Sequence, residues 1–160
     1  MSNAAELTTS TSVPQRRNLG PWSRRVLRAL TEVVVPRGDG APEVAATAIV
    51  DFIDDWVRHM PRLLRTLFPV GLLMLELGTF VLVPSLLPFS LLSPGRRERY
   101  VDGWVHARWR LRRDLIKGVK GLVLMAYYSD PRVQTYLGYA VDEHVRLVSA
   151  ERLKRHGHEL

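Results

Sequence analysis

The chain has 160 residues, 46% of them apolar and 24% charged, with 23 Lys and Arg against 16 acids and a formal charge of +7. That length fits one domain with a real core, and the composition excludes a disordered chain. The absence of cysteine excludes disulfides, thiol nucleophiles, iron–sulfur clusters and covalent haem attachment, and leaves the redox compartment open. The arginine-rich balance biases the surface toward acidic partners, whether proteins, anionic headgroups or nucleic acid.

Residues 1–20, rich in Ser, Thr and Asn, read as a solvated, disordered tail. Arg16-Arg17 invites a twin-arginine reading, but the chain then runs through Asn18-Leu19-Gly20-Pro21 into Arg24-Arg25 instead of an apolar stretch. Pro21 and Ser23 open a first helix, whose apolar positions Val26, Leu27, Leu30, Val33 and Val34 recur at helical spacing until Pro36 stops it. Arg37-Gly38-Asp39-Gly40 reads as a loop by its glycines, and its Arg-Gly-Asp as a turn, not an adhesive signal.

A second helix is expected from about Pro42 to Met60, with Ala46, Ile49, Val50, Ile53, Trp56 and Val57 as its apolar stripe. Asp51, Asp54 and Asp55 fall on another face. With no second ligand cluster beside them and Arg58 four residues after Asp54, they read as a solvated, ion-paired face in preference to a cation site.

Pro61 opens a third segment. From Val70 to Leu92 it is strongly apolar, with Glu76 its only charge, and its length would permit a membrane span. Against a span, Pro69, Pro84 and Pro88 break the run and Glu76 is costly at mid-bilayer. Arginines also flank both ends (Arg58, Arg62, Arg65; Arg96, Arg97, Arg99) without a positive-inside bias. A core helix is expected, followed by an apolar loop that docks on a partner or a membrane surface.

Ser93-Pro94 supplies an N-cap hydroxyl and a proline at the first helical position. Val101, Trp104, Val105, Leu111, Leu115, Ile116, Val119, Leu122, Val123 and Ala126 then trace one stripe, so one long helix is expected near residues 94–129, its other faces crowded with Arg and Lys. Asp130-Pro131 starts a short helix that ends at Gly138. Residues 141–160 read as an amphipathic tail. No strand-like alternation and no internal repeat occurs. The predicted fold is all-α: a single orthogonal or irregular helical bundle over residues 21–140.

Catalytic apparatus is not legible. There is no GxGxxG turn, P-loop or HExxH, and no Ser–His arrangement, so no catalytic, cofactor-binding or metal-binding residue is assigned. His156-Gly-His158 reads as a frayed tail, and the final Gly-His-Glu-Leu lacks the acidic residue of a retention signal. The basic helix from Arg96 to Lys120 carries no recognised DNA- or RNA-binding motif, so no nucleic-acid partner is assigned.

Arg108 falls in the apolar stripe where a leucine is expected. It either snorkels and stacks on Trp104 or Trp109, or pairs with a carboxylate across a subunit interface, where Arg and Trp are enriched. In Tyr127-Tyr128-Ser129-Asp130-Pro131, a capped helix end explains Asp130 and Pro131. Two adjacent tyrosines must face different directions, so one can enter the core while the other is exposed unless something covers it.

Leu27-Arg-Ala-Leu-Thr-Glu-Val-Val-Val-Pro36, Val50-Asp-Phe-Ile-Asp54, Phe89-Ser-Leu-Leu-Ser-Pro94, Glu98-Arg-Tyr-Val-Asp-Gly-Trp104 and Leu122 through Gly138, taken in order and spacing, carry a resemblance over roughly residues 25–140. Together they resemble the third, small subunit of gluconate 2-dehydrogenase. They also resemble the homologous helical N-terminal segment of long-chain alcohol oxidases in the glucose–methanol–choline (GMC) flavoprotein class. The resemblance implies a helical subunit without catalytic residues, which wraps a FAD-bearing catalytic subunit and supports its folding, export or membrane attachment. FAD is then expected in the partner and no cofactor in this chain, with an alcohol or a sterol- or lipid-like substrate. Many members begin with a twin-arginine signal, which this chain lacks; that departure points to the cytoplasmic branch, at the inner membrane face where it is membrane-associated. The partner interface is expected at Tyr127, Tyr128 and Asp130, with Trp104 and Arg108. A second reading is a peripheral membrane protein that uses residues 70–92 and the flanking arginines on anionic lipid.

Overall fold

The apolar periodicities set the helices. The computed structural model describes residues 18–38, 40–82 and 87–138. The elements run in the order α1 (Pro21–Val34), α2 (Ala46–His59), α3 (Arg62–Leu82), a 3-10 turn (Phe89–Leu91), α4 (Pro94–Val105), α5 (Arg110–Tyr128) and α6 (Pro131–Tyr136). No strand occurs among the described residues, and the protein is an all-α helical bundle.

Helix α1 is its centre, packing on α2, α3, α4, α5 and the 3-10 turn. Val26, Leu27 and Leu30 of α1 join Ile49, Val50, Ile53 and Val57 of α2, Leu72 and Leu75 of α3, and Ile116, Val119 and Val123 of α5 in one buried cluster. Each such side chain contributes about 1.5–3 kcal/mol when taken from water. Between α1 and α2 the chain turns through Gly38 at φ 103° and Gly40 at φ 76°, left-handed conformations that a Cβ would strain. The loop expected there is present, with Asp39 outside the described residues.

Five expectations are corrected. Residues 94–129 form two helices, not one, with a break between Val105 and Arg110. No proline or glycine marks it. A straight helix over 94–129 would span about 54 Å, far beyond a domain whose radius of gyration is about 14 Å. The break lets α5 pack against both α4 and α2. It also buries Ala107 and turns Arg108, which would otherwise occupy the stripe, out to solvent.

Pro69 lies inside α3 without ending it, because buried Leu72 and Leu75 on its far side hold the next turns to the core. The boundary set at residue 20 moves back: Leu19 is buried, and its N–H donates to Asp54 Oδ1 at 2.6 Å. Asp54 itself is therefore not a solvated residue of an ionic face. Arg58 pairs with Asp55 at 3.3 Å, and Asp51 pairs with the buried Arg24 of α1.

Ser93 is the N-cap of α4, but its backbone carbonyl alone serves the helix, accepting from Arg96 and Arg97 N–H at 3.0 Å each; the hydroxyl makes no capping bond. Asp130 caps α6 as its sequence position predicts, Oδ1 accepting the Arg132 N–H at 2.9 Å. Gly138 ends that stretch at φ 65°. The tail predicted over 141–160 lies outside the described residues.

Candidate functional site: an outward apolar face on helix α3

Helix α3 has two apolar sides. Its inner side buries Leu72, Leu75, Glu76 and Thr79 against α1 and the 3-10 turn. The buried Glu76 carboxylate accepts the Ser90 N–H at 3.0 Å and the Ser90 hydroxyl at 2.6 Å. Thr79 Oγ1 lies within hydrogen-bond distance of the Leu87 carbonyl, at 3.0 Å. A buried carboxylate needs such donors, and here they pin the 3-10 turn to the helix. Arg97 of α4 extends the link, donating to the Ser90 carbonyl at 3.0 Å and pairing with Glu32 of α1.

The outer side carries Leu63, Leu67, Val70, Met74, Leu77 and Val81, all exposed, from 40% at Met74 to 86% at Val81. Their spacing alternates four and three residues, the seam by which one helix packs along another. From Thr66 to Val81 the only ionisable residue is Glu76, which faces inward. Leu73 and Phe80 widen the stripe. It is about 27 Å long and about one helix diameter, 10 Å, in width. Contiguous apolar surface of that order approaches the largest patch of an ordinary monomer, which is often functional.

The segment expected to dock, Val70 to Leu92, is therefore divided. Phe89 and Leu92 lie in the core, while the outward surface begins upstream at Leu63. Beside the stripe, an open groove of about 430 Å³ runs between α3 and α5, its walls including Leu64, Leu67, Leu111 and Leu115. Gly71 sets its floor: a Cβ there would come within 2.8 Å of Leu115 Cδ1. By length and composition α3 over Arg62–Val81 could cross a membrane, although its inner side is committed to Ser90 and the core.

The five predicted interface residues do not form one surface. Trp104 is buried, its ring 5.9 Å from Tyr100, and the guanidinium stacked on it belongs to Arg112, at 5.0 Å. Arg108 is exposed and, among the described residues, stacks on neither Trp104 nor Trp109. The tyrosines divide as their adjacency requires. Tyr127 is buried and donates its hydroxyl to the Pro42 carbonyl at 3.3 Å, while Tyr128 is 44% exposed, edge-on to Tyr127 at 5.2 Å. Asp130 is taken up by its own helix: Arg132 bonds it from Nε at 3.1 Å and Nη2 at 2.9 Å and holds its carboxyl below the usual range. Of the five, Arg108 and Tyr128 present free surface.

Four exposed apolar residues stand outside the predicted interface. Leu63 and Leu67 carried a legible signal, the alternating spacing that continues to Val81. Trp109 and Leu111, 75% and 63% exposed, did not, because their exposure follows from a helix break that no residue type announces. Among the described residues no group of three or more His, Asp or Glu converges as a metal site would require. Comparison with protein-family models, with curated proteins and with solved structures finds no match for this chain.

Proposed function

We propose that this chain is a non-catalytic accessory subunit that binds and stabilises a FAD-dependent GMC-type dehydrogenase or oxidase acting on alcohols or on sterol- or lipid-like substrates. The observation that carries the proposal is the outward α3 stripe, a neutral seam of six apolar side chains with helical spacing that a partner helix can complete. The small-subunit resemblance in the sequence supports the identity of the partner. FAD then belongs to the partner, and the pair resides in the cytoplasm.

Coexpression with a neighbouring GMC-type flavoprotein, followed by size exclusion read at flavin wavelengths, tests it. The expected result is a coeluting yellow complex that Leu67→Gln with Met74→Gln dissociates. Separate elution of the wild-type chain would sink the proposal. A second reading, a peripheral membrane protein without an enzyme partner, is favoured by the arginines that bracket the apolar run, Arg62 and Arg65 at the start of α3 and Arg96 and Arg99 in α4. Vesicle binding that needs no flavoprotein and weakens with salt would favour it.

A further inference from the structure

The break between α4 and α5 places an unusual set of side chains at one corner. Trp109 and Leu111 project from it, and Leu111 shares the groove wall with Leu64 and Leu67 of α3. Arg108 and Arg110 flank them, exposed and without a hydrogen bond or ion pair among the described residues. Arg112 and Arg113 follow, the first on Trp104 and the second donating to the Ala107 carbonyl at 3.2 Å. Asp114 is the only acid between His106 and Lys117.

Neither half of this corner is accounted for by packing. A tryptophan at 75% exposure gives the fold little burial, and two unpaired arginines give it no ion pair. The chemistry differs from that of the α3 stripe, which is neutral and spaced for a helix. An indole and a leucine at a projecting corner, ringed by cations, match the headgroup layer of a bilayer, where amphipathic rings settle and arginines meet phosphates.

We infer that the α4–α5 corner, through Trp109, Leu111, Arg108 and Arg110, is a contact site for an anionic phospholipid surface. This rests on the membrane reading above and moves its contact from α3 to the corner. Charge complementarity selects the occupant: each arginine near an anionic surface strengthens binding about fivefold, and a neutral surface offers no such gain.

The test is cosedimentation of the full chain with vesicles of phosphatidylcholine alone or mixed with phosphatidylglycerol, with circular dichroism to confirm that each variant keeps its helices. The wild-type chain is expected to pellet with the mixed vesicles, less so at high salt and weakly with phosphatidylcholine. Arg108→Gln with Arg110→Gln should weaken binding about 25-fold, and Trp109→Ser with Leu111→Ser at least about tenfold. If the wild-type chain pellets with neither vesicle, both the membrane reading and this inference fail. If it pellets but both double variants bind as tightly, the membrane reading stands and the corner is excluded. Equal, salt-insensitive binding to both vesicles overturns the role of the arginines. Loss of the flavoprotein complex in the Trp109/Leu111 variant, without vesicle binding by the wild type, makes the corner a protein interface and overturns the inference.

Discussion

The guanidinium of Arg112 lies 5.0 Å from the centre of the Trp104 ring, across the helix break that separates them. Trp104 is among the largest fully buried side chains, and Arg112 closes one face of it from the first turns of α5. The contact joins two helices that the sequence pattern presents as one.

Replacing Arg112 with Ala is therefore expected to cost about 1 kcal/mol in urea unfolding, the value of a partly shielded cation–π contact with its packing. Arg108→Ala should stay within about 0.5 kcal/mol of wild type, as for an exposed side chain. Equal losses at the two positions would contradict the assignment of the stacked arginine.

The N-terminal entry depends on Asp54, which accepts from the Asn18 N–H at 3.1 Å and the Leu19 N–H at 2.6 Å, while its own carbonyl accepts from Asn18 Nδ2 at 3.0 Å. Asp54→Ala removes a charged acceptor from two main-chain donors and should cost about 2 kcal/mol. It should also speed trypsin cleavage near Arg24, since Leu19 loses its anchor. Unchanged digestion would place the hold on residues 18–20 elsewhere.

Burial raises the hydroxyl pKa of both Tyr100 and Tyr127 above the ordinary tyrosine value of 10.0. A group whose folded value lies above its unfolded value resists deprotonation in the fold, so stability is level below pH 10 and falls as pH rises past it. Tyrosinate absorbance should show these two tyrosines ionising only as helicity is lost. Their early titration, with circular dichroism intact, would mean that the Tyr100 bond to the Leu75 carbonyl at 2.8 Å does not persist.

Because the α3 stripe points outward, Leu67→Gln, Met74→Gln and Leu77→Gln together should leave the unfolding midpoint nearly unchanged, each within about 0.5 kcal/mol. The same triple variant should make the isolated chain elute as a sharper, less aggregated species. A large loss of stability would show that the stripe is covered from within the chain.

Much of the fold was legible because helix periodicity, proline starts and glycine stops are local. The stripes of α1 and α2 emerge close to where Val26, Leu27, Leu30, Ile49 and Val50 place them, and Asp130 caps α6 from its own position. What the pattern could not supply were partners distant in sequence. Helical spacing sets Asp54 beside Arg58 because both lie on one helix, yet it is bound by residues 36 and 35 positions away. The same spacing sets Trp104 beside Arg108, and the turn at residues 106–109 substitutes Arg112. Tyr127 and Trp104 look like contact residues in a linear reading, and three-dimensional packing buries both.

The bond from Ser90 to Glu76 also fixes how α3 is turned about its own axis. Because that flank of the helix is also tied at Thr79 to Leu87 and at the Leu75 carbonyl to Tyr100, the opposite flank always faces outward at the same angle. Exchange of Glu76 for an apolar residue would strand the Ser90 hydroxyl, and loss of Ser90 would strand the carboxylate, so in related chains the two should be kept or lost as a pair. The outer leucines are bound by no such constraint and are free to trade places with isoleucine, methionine or phenylalanine as a partner changes.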